Sequence, residues 1–144
     1  TRSRLRSRIA RAMEKWPALE RAAFWDRQFE QCIRCYACRQ ACPLCYCSEC
    51  LSEQVDPAWQ SIAIDTQEKA MFHLVRAFHL AGRCTGCGAC SDACPEGIPL
   101  YLLNRKLARE TARLFDGFIA GTGAESPLPL TVFRQDEVLE RSAR

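Results

Sequence analysis

The segment Cys32-Ile-Arg-Cys35-Tyr-Ala-Cys38-Arg-Gln-Ala-Cys42-Pro43 decides how this chain is read, because its spacing returns as Cys84-Thr-Gly-Cys87-Gly-Ala-Cys90-Ser-Asp-Ala-Cys94-Pro95. Both stretches follow the pattern C-x2-C-x2-C-x3-C-P, which makes an internal repeat of twelve residues. In each run, three thiols at intervals of three residues can line one loop. The fourth cysteine follows one helical turn later and points away from that loop.

The number and spacing of the cysteines favour metal ligation over disulfides. The chain has 144 residues and 11 cysteines, an odd and tightly grouped set, and no secretory signal precedes them. A [4Fe–4S] cube needs one thiolate at each of four iron corners, and each run supplies four cysteines. Zinc sites are the alternative, but they usually use two separated pairs of ligands rather than a triplet plus one. The spacing therefore predicts two iron–sulfur cubes.

The repeated run resembles that of two-cluster ferredoxins, in which the fourth cysteine of each run ligates the other cluster. That resemblance implies a crossed assignment of the ligands. Cluster 1 would be held by Cys32, Cys35, Cys38 and Cys94. Cluster 2 would be held by Cys84, Cys87, Cys90 and Cys42. No catalytic residues are expected, because neither a nucleotide loop nor a nucleophile–base pattern is present.

The segments around the two runs have helical patterns. Residues 2–15 and residues 17–29 each carry apolar side chains at helical spacing, and in the latter Leu19, Ala22, Ala23 and Phe29 are predicted to face inward. Pro99 opens a further helix to about residue 116, with Leu100, Leu103, Leu107 and Leu114 inside. No segment alternates as a strand would.

The 41 residues between the two runs are also predicted to be helical. Asp56-Pro57 has the form of a helix start, with proline at the first position. Asp65 with Glu68 approximates a capping box for another helix. That helix would bury a stripe of Met71, Leu74, Val75 and Phe78 and end at Gly82.

Two cysteine runs set on helices resemble the α-helical ferredoxin family over roughly residues 20–115. Examples are the small subunit of heterodisulfide reductase and the cluster domain of the succinate dehydrogenase iron–sulfur subunit. Succinate dehydrogenase relatives lack one of the cysteines, whereas this chain keeps all eight, which implies two [4Fe–4S] clusters. We therefore predict a mainly α fold with two cluster-binding loops and an extended C-terminal tail. Three regions are expected: an arginine-rich helical extension (1–19), a dicluster domain (20–116) and a partner-docking tail (117–144).

Cys45, Cys47 and Cys50 are not needed by the two cubes. The segment after Pro43 resembles, more loosely, one in dicluster subunits of soluble hydrogenases and anaerobic sulfite reductases. Three interpretations remain open for these cysteines. They are buried thiols that shield a cluster, or a third metal site completed by His73, His79 or a partner residue, or ligands that exchange with Cys42.

The formal charge of +3 rests on 17 arginines and only three lysines. Arg34, Arg39 and Arg83 lie inside or beside the runs, where they would offset the negative clusters and raise their potentials, unless they simply face solvent. The basic run of residues 2–11 brings no aromatic or binding motif with it, so no nucleic-acid partner is expected. The longest stretch without a charged side chain has nine residues, too few for a membrane span.

Taken together, these features predict an electron-transfer subunit without a catalytic site of its own. By resemblance, its partners would be a flavin- or NAD(P)-linked subunit and a catalytic subunit such as a hydrogenase, formate dehydrogenase or heterodisulfide-reductase-like enzyme. Oxygen-sensitive clusters suit the cytoplasm of an anaerobe. A freely diffusing ferredoxin is the alternative, although such carriers are usually strongly acidic. The first residue is Thr1, compatible with a piece of a longer chain.

Overall fold

Six α-helices separate and flank the cysteine runs in the computed structural model, which describes residues 2–125 and 127–131. The helices are α1 (Arg2–Met13), α2 (Ala18–Glu30), α3 (Ala37–Gln40), α4 (Thr66–His79), α5 (Ala89–Asp92) and α6 (Leu100–Leu114). No β-strand occurs within the described residues, so the predicted all-helical fold class is confirmed. Residues 132–144 of the predicted tail lie outside this description.

Helix pairs bring the two cysteine runs together at the centre of the fold. Helix α2 packs against α4, α1 against α6, and the short helices α3 and α5 against each other. The central cluster of contacting buried residues is small, and half of its members are cysteines. Its members are Cys32, Cys38, Cys90, Phe72, Ile98 and Leu100. The ligand candidates are therefore also core residues.

An aromatic chain joins α2 to α4. Trp25 stacks on Phe29 with ring centroids 5.6 Å apart, and Phe29 stacks on His73 of α4 at 4.9 Å. Phe29 is buried as predicted, but Leu19 is 84% exposed, and Ala22 and Ala23 are exposed as well. Helix α2 thus buries the face that carries its aromatic rings, and this face stacks against α4.

Helix α4 begins at its predicted cap but buries a different face. The side chain of Asp65 accepts a hydrogen bond of 2.9 Å from the backbone N–H of Glu68. The predicted stripe is wrong, because three of its members, Met71, Leu74 and Phe78, are exposed. The side chains that α4 buries are Phe72, His73, Arg76 and Ala77. The aromatic rings of α2 and the cysteine loops select this face.

The helix predicted to start at Asp56-Pro57 is also wrong, since residues 56–65 contain no helix and the Asp56-Pro57 peptide bond is cis. The guanidinium of Arg34 explains this locally. Its Nη1 donates to the carbonyls of Ser61 at 2.6 Å and Ala63 at 2.7 Å. Carbonyls that a helix would have used internally are thereby turned toward the first cysteine run.

Helix α6 and the chain that follows it cover the second cysteine run. Leu100 is buried as predicted, whereas Leu114 at the far end of α6 is 62% exposed. Pro129 is buried and its Cδ lies 3.1 Å from where a Cβ on Gly82 would stand. Among the described residues, no helix has the length and apolarity that crossing a bilayer would require.

The cap at Asp65 gives a test of the fold. Replacing Asp65 with Ala should lower the free energy of unfolding by about 1 kcal/mol, because the N–H of Glu68 loses its acceptor. Anaerobic thermal melting followed by circular dichroism measures this. Asp65→Ser keeps a capping oxygen and should lose much less. An equal loss of unfolding free energy in Asp65→Ala and Asp65→Ser would show that the cap does not stabilise α4.

Candidate metal centres

The two cysteine runs share their backbone conformation as well as their spacing. Gly86 and Gly88 of the second run have φ of 76° and 87°, in the left-handed region that glycine adopts easily. Arg34 and Tyr36 stand at the same two positions of the first run, with φ of 52° and 60°. A left-handed non-glycine residue costs about 1–2 kcal/mol, so the first run accepts strain that the second avoids.

The hydrogen bonds of the two runs match in the same way. In each run the second left-handed residue is followed by one short helix, closed by Ala41 N–Ala37 O at 2.9 Å in the first run and Ala93 N–Ala89 O at 2.9 Å in the second. These equivalent helices, α3 and α5, pack against each other. The fourth cysteine of each run, Cys42 or Cys94, follows two residues after its short helix and lies next to the other run.

Thiols from both runs meet at a first cavity. Cys32, Cys35 and Cys38 line it together with Cys94 of the second run. Cys32 and Cys38 are buried, Cys94 is half-buried and Cys35 is exposed. Phe72, Ile98 and Leu100 complete the walls and exclude water from the inner side.

The second set of thiols shows the reciprocal arrangement. Burial raises the pKa of Cys84, and the neighbouring thiols of Cys90, Cys42 and Cys87 raise it further. Cys42 of the first run thus lies within electrostatic reach of the second-run cysteines. Cys90 is buried, Cys42 and Cys84 are half-buried, and Cys87 is exposed.

Several N–H groups point at sulfur. The backbone N–H of Arg34 donates to Cys32 Sγ at 3.3 Å, and Asn104 Nδ2 donates to Cys90 Sγ at 3.6 Å. The backbone of Gly86 donates to Cys84 in the second run. Such donors stabilise thiolate sulfur and raise the potential of a bound cluster.

The chemistry of both thiol sets fits an iron–sulfur cluster. Burial raises the pKa of Cys38 to about 11, with smaller contributions from Cys32, Cys90 and Cys94. Ionised thiolates packed this closely would repel one another unless a cation replaced their protons. Sulfur donors suit iron–sulfur clusters, and iron would supply that positive charge.

A buried arginine of α4, which the sequence analysis missed, reaches the thiols of both sets. Arg76 is 6% exposed, and its Nη2 donates to the carbonyl oxygen of Cys38 at 2.9 Å. Its charge acts to lower the pKa of Cys38, Cys45 and Cys90, against the larger effect of burial. The apolar neighbours Phe72 and Leu80, one turn to either side of Arg76, were the signal for its burial.

The three arginines singled out from the sequence have different surroundings. Arg34 is buried, with one guanidinium nitrogen 3.0 Å from the hydroxyl of Tyr36, so it does not simply face solvent. Arg39 forms an ion pair with Glu53. Arg83 lies 5.0 Å from the ring centre of Tyr46, in a cation–π contact.

The three spare cysteines line a separate cleft beside α4. Cys45, Cys47 and Cys50 share that cleft with His79 and Arg83, whereas His73 lines the first thiol cavity instead. Cys47 is exposed, and Cys45 and Cys50 are half-buried, so the interpretation of all three as buried thiols is wrong. Within the described residues, no group of three or more cysteine, histidine or acidic side chains is already arranged around a single metal ion, and this holds for the eight repeat cysteines as well as for these three. The third metal site therefore stays a prediction.

His73 contacts its neighbours by ring stacking and not by hydrogen bonds. It is 3% exposed, and neither ring nitrogen has a hydrogen-bond partner among the described residues. Burial and the charge of Arg76 lower its pKa to about 4, so it is neutral at neutral pH. Its role in the structure is to stack between α2 and the first cavity.

Comparison with known protein families supports the interpretation of the two thiol sets as iron–sulfur sites. Residues 28–98 match the family model described as a 4Fe-4S dicluster domain. This segment is therefore similar to dicluster ferredoxin domains, in agreement with the prediction from the cysteine runs. The finer resemblances, to heterodisulfide reductase, succinate dehydrogenase, hydrogenase and sulfite reductase subunits, stay predictions.

Two curated relatives show which kind of iron–sulfur protein this chain is similar to. The F420-dependent formate dehydrogenase subunit beta of Methanocaldococcus jannaschii is 36% identical over 115 residues, which is 79% of this chain and 28% of that protein. The F420-dependent formate dehydrogenase 1 subunit beta of Methanococcus maripaludis is 39% identical over 116 residues, with the same two coverages. The chain thus spans little more than a quarter of the length of these relatives.

The left-handed glycine of the second run gives a prediction with a matched control. Gly88→Ala and Gly117→Ala both force a side chain into a left-handed backbone, at φ of 87° and 81°. A Cβ at Gly88 would stand 1.8 Å from Arg6 Nη1, whereas one at Gly117 meets nothing within 4 Å. We expect Gly117→Ala to cost about 1–2 kcal/mol and Gly88→Ala up to about 1 kcal/mol more, because Arg6 must leave Asp92.

The midpoint of anaerobic thermal unfolding measures both losses. In an Arg6→Ala background the two alanine variants should lose the same amount, since the close approach is then gone. A difference between them that persists without Arg6 would show that Arg6 is not the reason for glycine at position 88.

Proposed function

We propose that this chain is an electron-transfer module that relays single electrons through two [4Fe–4S] clusters within an oxidoreductase complex related to formate dehydrogenase. One observation carries the proposal. Each proposed ligand set has one exposed cysteine, Cys35 or Cys87, while Cys38 of one set and Cys90 of the other lie in the same group of contacting buried residues. An accessible edge on each set and a common buried interior are what a two-step relay needs.

We propose the crossed ligation for these clusters, with Cys32, Cys35, Cys38 and Cys94 on one and Cys84, Cys87, Cys90 and Cys42 on the other. The shared cavity of Cys94 with the first run and the effect of Cys42 on Cys84 support this assignment. A bound cluster supplies the one-electron change. The protein excludes water with Tyr36, Phe72 and Ile98, and directs N–H donors at sulfur.

The relatives suggest what the complex does. Both are beta subunits of F420-dependent formate dehydrogenases, so we propose that electrons pass between a formate-oxidising subunit and an F420-linked one. This is more specific than the flavin- or NAD(P)-linked partner expected from the sequence. An anaerobe's cytoplasm remains the proposed location. A diffusible ferredoxin is the alternative, and the basic charge of the chain argues against it.

The function is tested by anaerobic electron paramagnetic resonance of the complex purified from its host. Adding formate should generate the signals of reduced [4Fe–4S] clusters in this chain, and adding F420 should then discharge them. Clusters that are reduced by dithionite but never by formate would contradict the formate assignment and leave only a general electron carrier.

The crossed ligation predicts which of the two clusters is perturbed when a fourth cysteine is replaced. Cys94→Ser should perturb the cluster bound by Cys32, Cys35 and Cys38, because it removes that cluster's fourth thiolate. The cluster bound by its own run should keep its spectrum. Selective labelling of cysteine β-carbons, read by paramagnetic nuclear magnetic resonance, separates the two clusters. Damage confined to the cluster of Cys84, Cys87 and Cys90 would refute the crossing.

Replacing Arg76 should change the midpoint potentials of the two proposed clusters. Arg76→Gln should make the midpoint potentials more negative by about 50–100 mV, since a buried positive charge near the thiols of both sets stabilises the reduced, more negative state. Arg76→Lys should lose less. A spectroscopic redox titration measures the potentials, with the exposed Arg27→Gln as the control. Equal shifts in the Arg76→Gln and Arg27→Gln variants would show that burial of the charge is irrelevant.

A further inference from the structure

The basic residues of the chain are concentrated on two packed helices. Nine of the 20 basic residues and one of the 17 acidic residues lie in α1 and α6, which pack against each other. These two helices carry a formal charge of +8, so the rest of the chain carries −5. The modest net charge of +3 therefore conceals a strong separation of charge.

An exposed stripe on α1 carries part of this charge. Arg4, Arg8 and Arg11 recur at intervals of four and three residues, which places them on one face of the helix. All three are exposed, and none has an ion-pair partner among the residues that the structure describes. On α6, by contrast, Arg109 pairs with Glu14 at 2.7 Å and Arg113 with Glu110 at 2.9 Å. The α1 stripe is the part of the basic face left for a partner.

The other face of α1 fixes the helix beside the second cysteine loop. Arg6 donates to Asp92 at 2.5 Å and to the carbonyl of Cys87 at 3.4 Å, and its guanidinium lies 4.9 Å from the ring centre of Tyr101. Arg6 and Arg105 line an open cleft of 250 Å³ together with the exposed Cys87. Helix α1 is thus anchored next to the accessible edge of the second thiol set, with the α1 stripe on its outward face.

The first thiol set has a different exposed edge. Near Cys35 the surface of the described residues carries no basic stripe: Ile33 is 54% exposed, and the acidic Glu96 lines the same cavity and is exposed as well. Ile62 and Ile64 lie within and just after the segment that Arg34 holds against the loop. Of these two edges, as far as the described residues show, the one at Cys87 has basic side chains, Arg6 and Arg105, beside its exposed thiol. The two edges therefore suit partners of different chemistry.

We propose that the arginine stripe of α1 docks an acidic electron-transfer protein that exchanges electrons with the cluster at Cys87. This inference rests on the proposed relay function and adds the partner's chemistry and its place. Charge complementarity would steer an acidic protein to this face and make its association fast and dependent on salt. A nucleic acid is the other polyanion that such a face could bind, and it is an outcome of the test below.

The test uses the full chain with its clusters and reduced flavodoxin as an acidic one-electron probe. Stopped-flow absorbance measures the second-order rate of cluster reduction at low ionic strength. Arg8→Glu should slow it about five-fold or more, and added salt should remove most of the difference. Arg27→Glu, an equal charge reversal at an exposed position of α2, is the matched control and should slow the rate less than two-fold.

A viologen with a single sulfonate group, whose one-electron-reduced form is neutral overall, separates failure of docking from failure of the relay. It should reduce the clusters of all three proteins at the same rate. If it cannot reduce the clusters of the parent, the proposed function fails rather than the docking surface. If Arg8→Glu and Arg27→Glu slow flavodoxin equally, the α1 stripe is not the docking site. Binding of labelled poly(U) RNA that depends on Arg8, with unchanged flavodoxin rates, would also overturn the proposal in favour of a nucleic-acid surface.

Discussion

Mutual repulsion among closely packed cysteine thiolates is the constraint on which the rest of this structure depends. Cys32, Cys38 and Cys90 make up half of the central cluster of contacting buried residues, and burial raises the pKa of each. A core of this size buries too little apolar surface to hold six helices firmly by itself. Iron that replaces the thiol protons would offset the repulsion and tie the two runs together, so cluster binding and folding are one process.

The two loops meet the same backbone requirement in different ways. The second run uses Gly86 and Gly88, and the room left by Gly88 admits Arg6 of α1. The first run places Arg34 and Tyr36 in the same left-handed conformation. The buried Arg34 side chain holds the segment around Ser61 and Ala63, and Tyr36 packs edge-on against Phe72 at 5.1 Å. The first run is thus strained but forms tertiary contacts through Arg34 and Tyr36. The second run is unstrained, and its glycine lets the basic helix α1 approach closely.

The repeat, the absence of strands in the described residues and four of the five expected helix starts could be read from the sequence, because spacing and caps are local properties. The buried face of α4 could not. Its apolar stripe of Met71, Leu74 and Phe78 is exposed, since the aromatic rings of α2 and the thiol loops select Phe72, His73 and Arg76 instead. The false helix start at Asp56 has a similar cause, a side chain 27 residues away that takes the carbonyl of Ser61. Both errors concern long-range partners, which periodicity does not report.

We propose that eight cysteines in a crossed repeat hold two four-iron clusters, while the cleft of Cys45, Cys47 and Cys50 holds none. Iron and acid-labile sulfide, measured per chain on anaerobically purified protein, test it most directly. Two [4Fe–4S] clusters give about eight irons and eight sulfides, and the count should not change in a Cys45/Cys47/Cys50→Ser variant. About twelve irons in the parent, falling to eight in that variant, would establish a third cluster. Zinc without labile sulfide would contradict the account altogether.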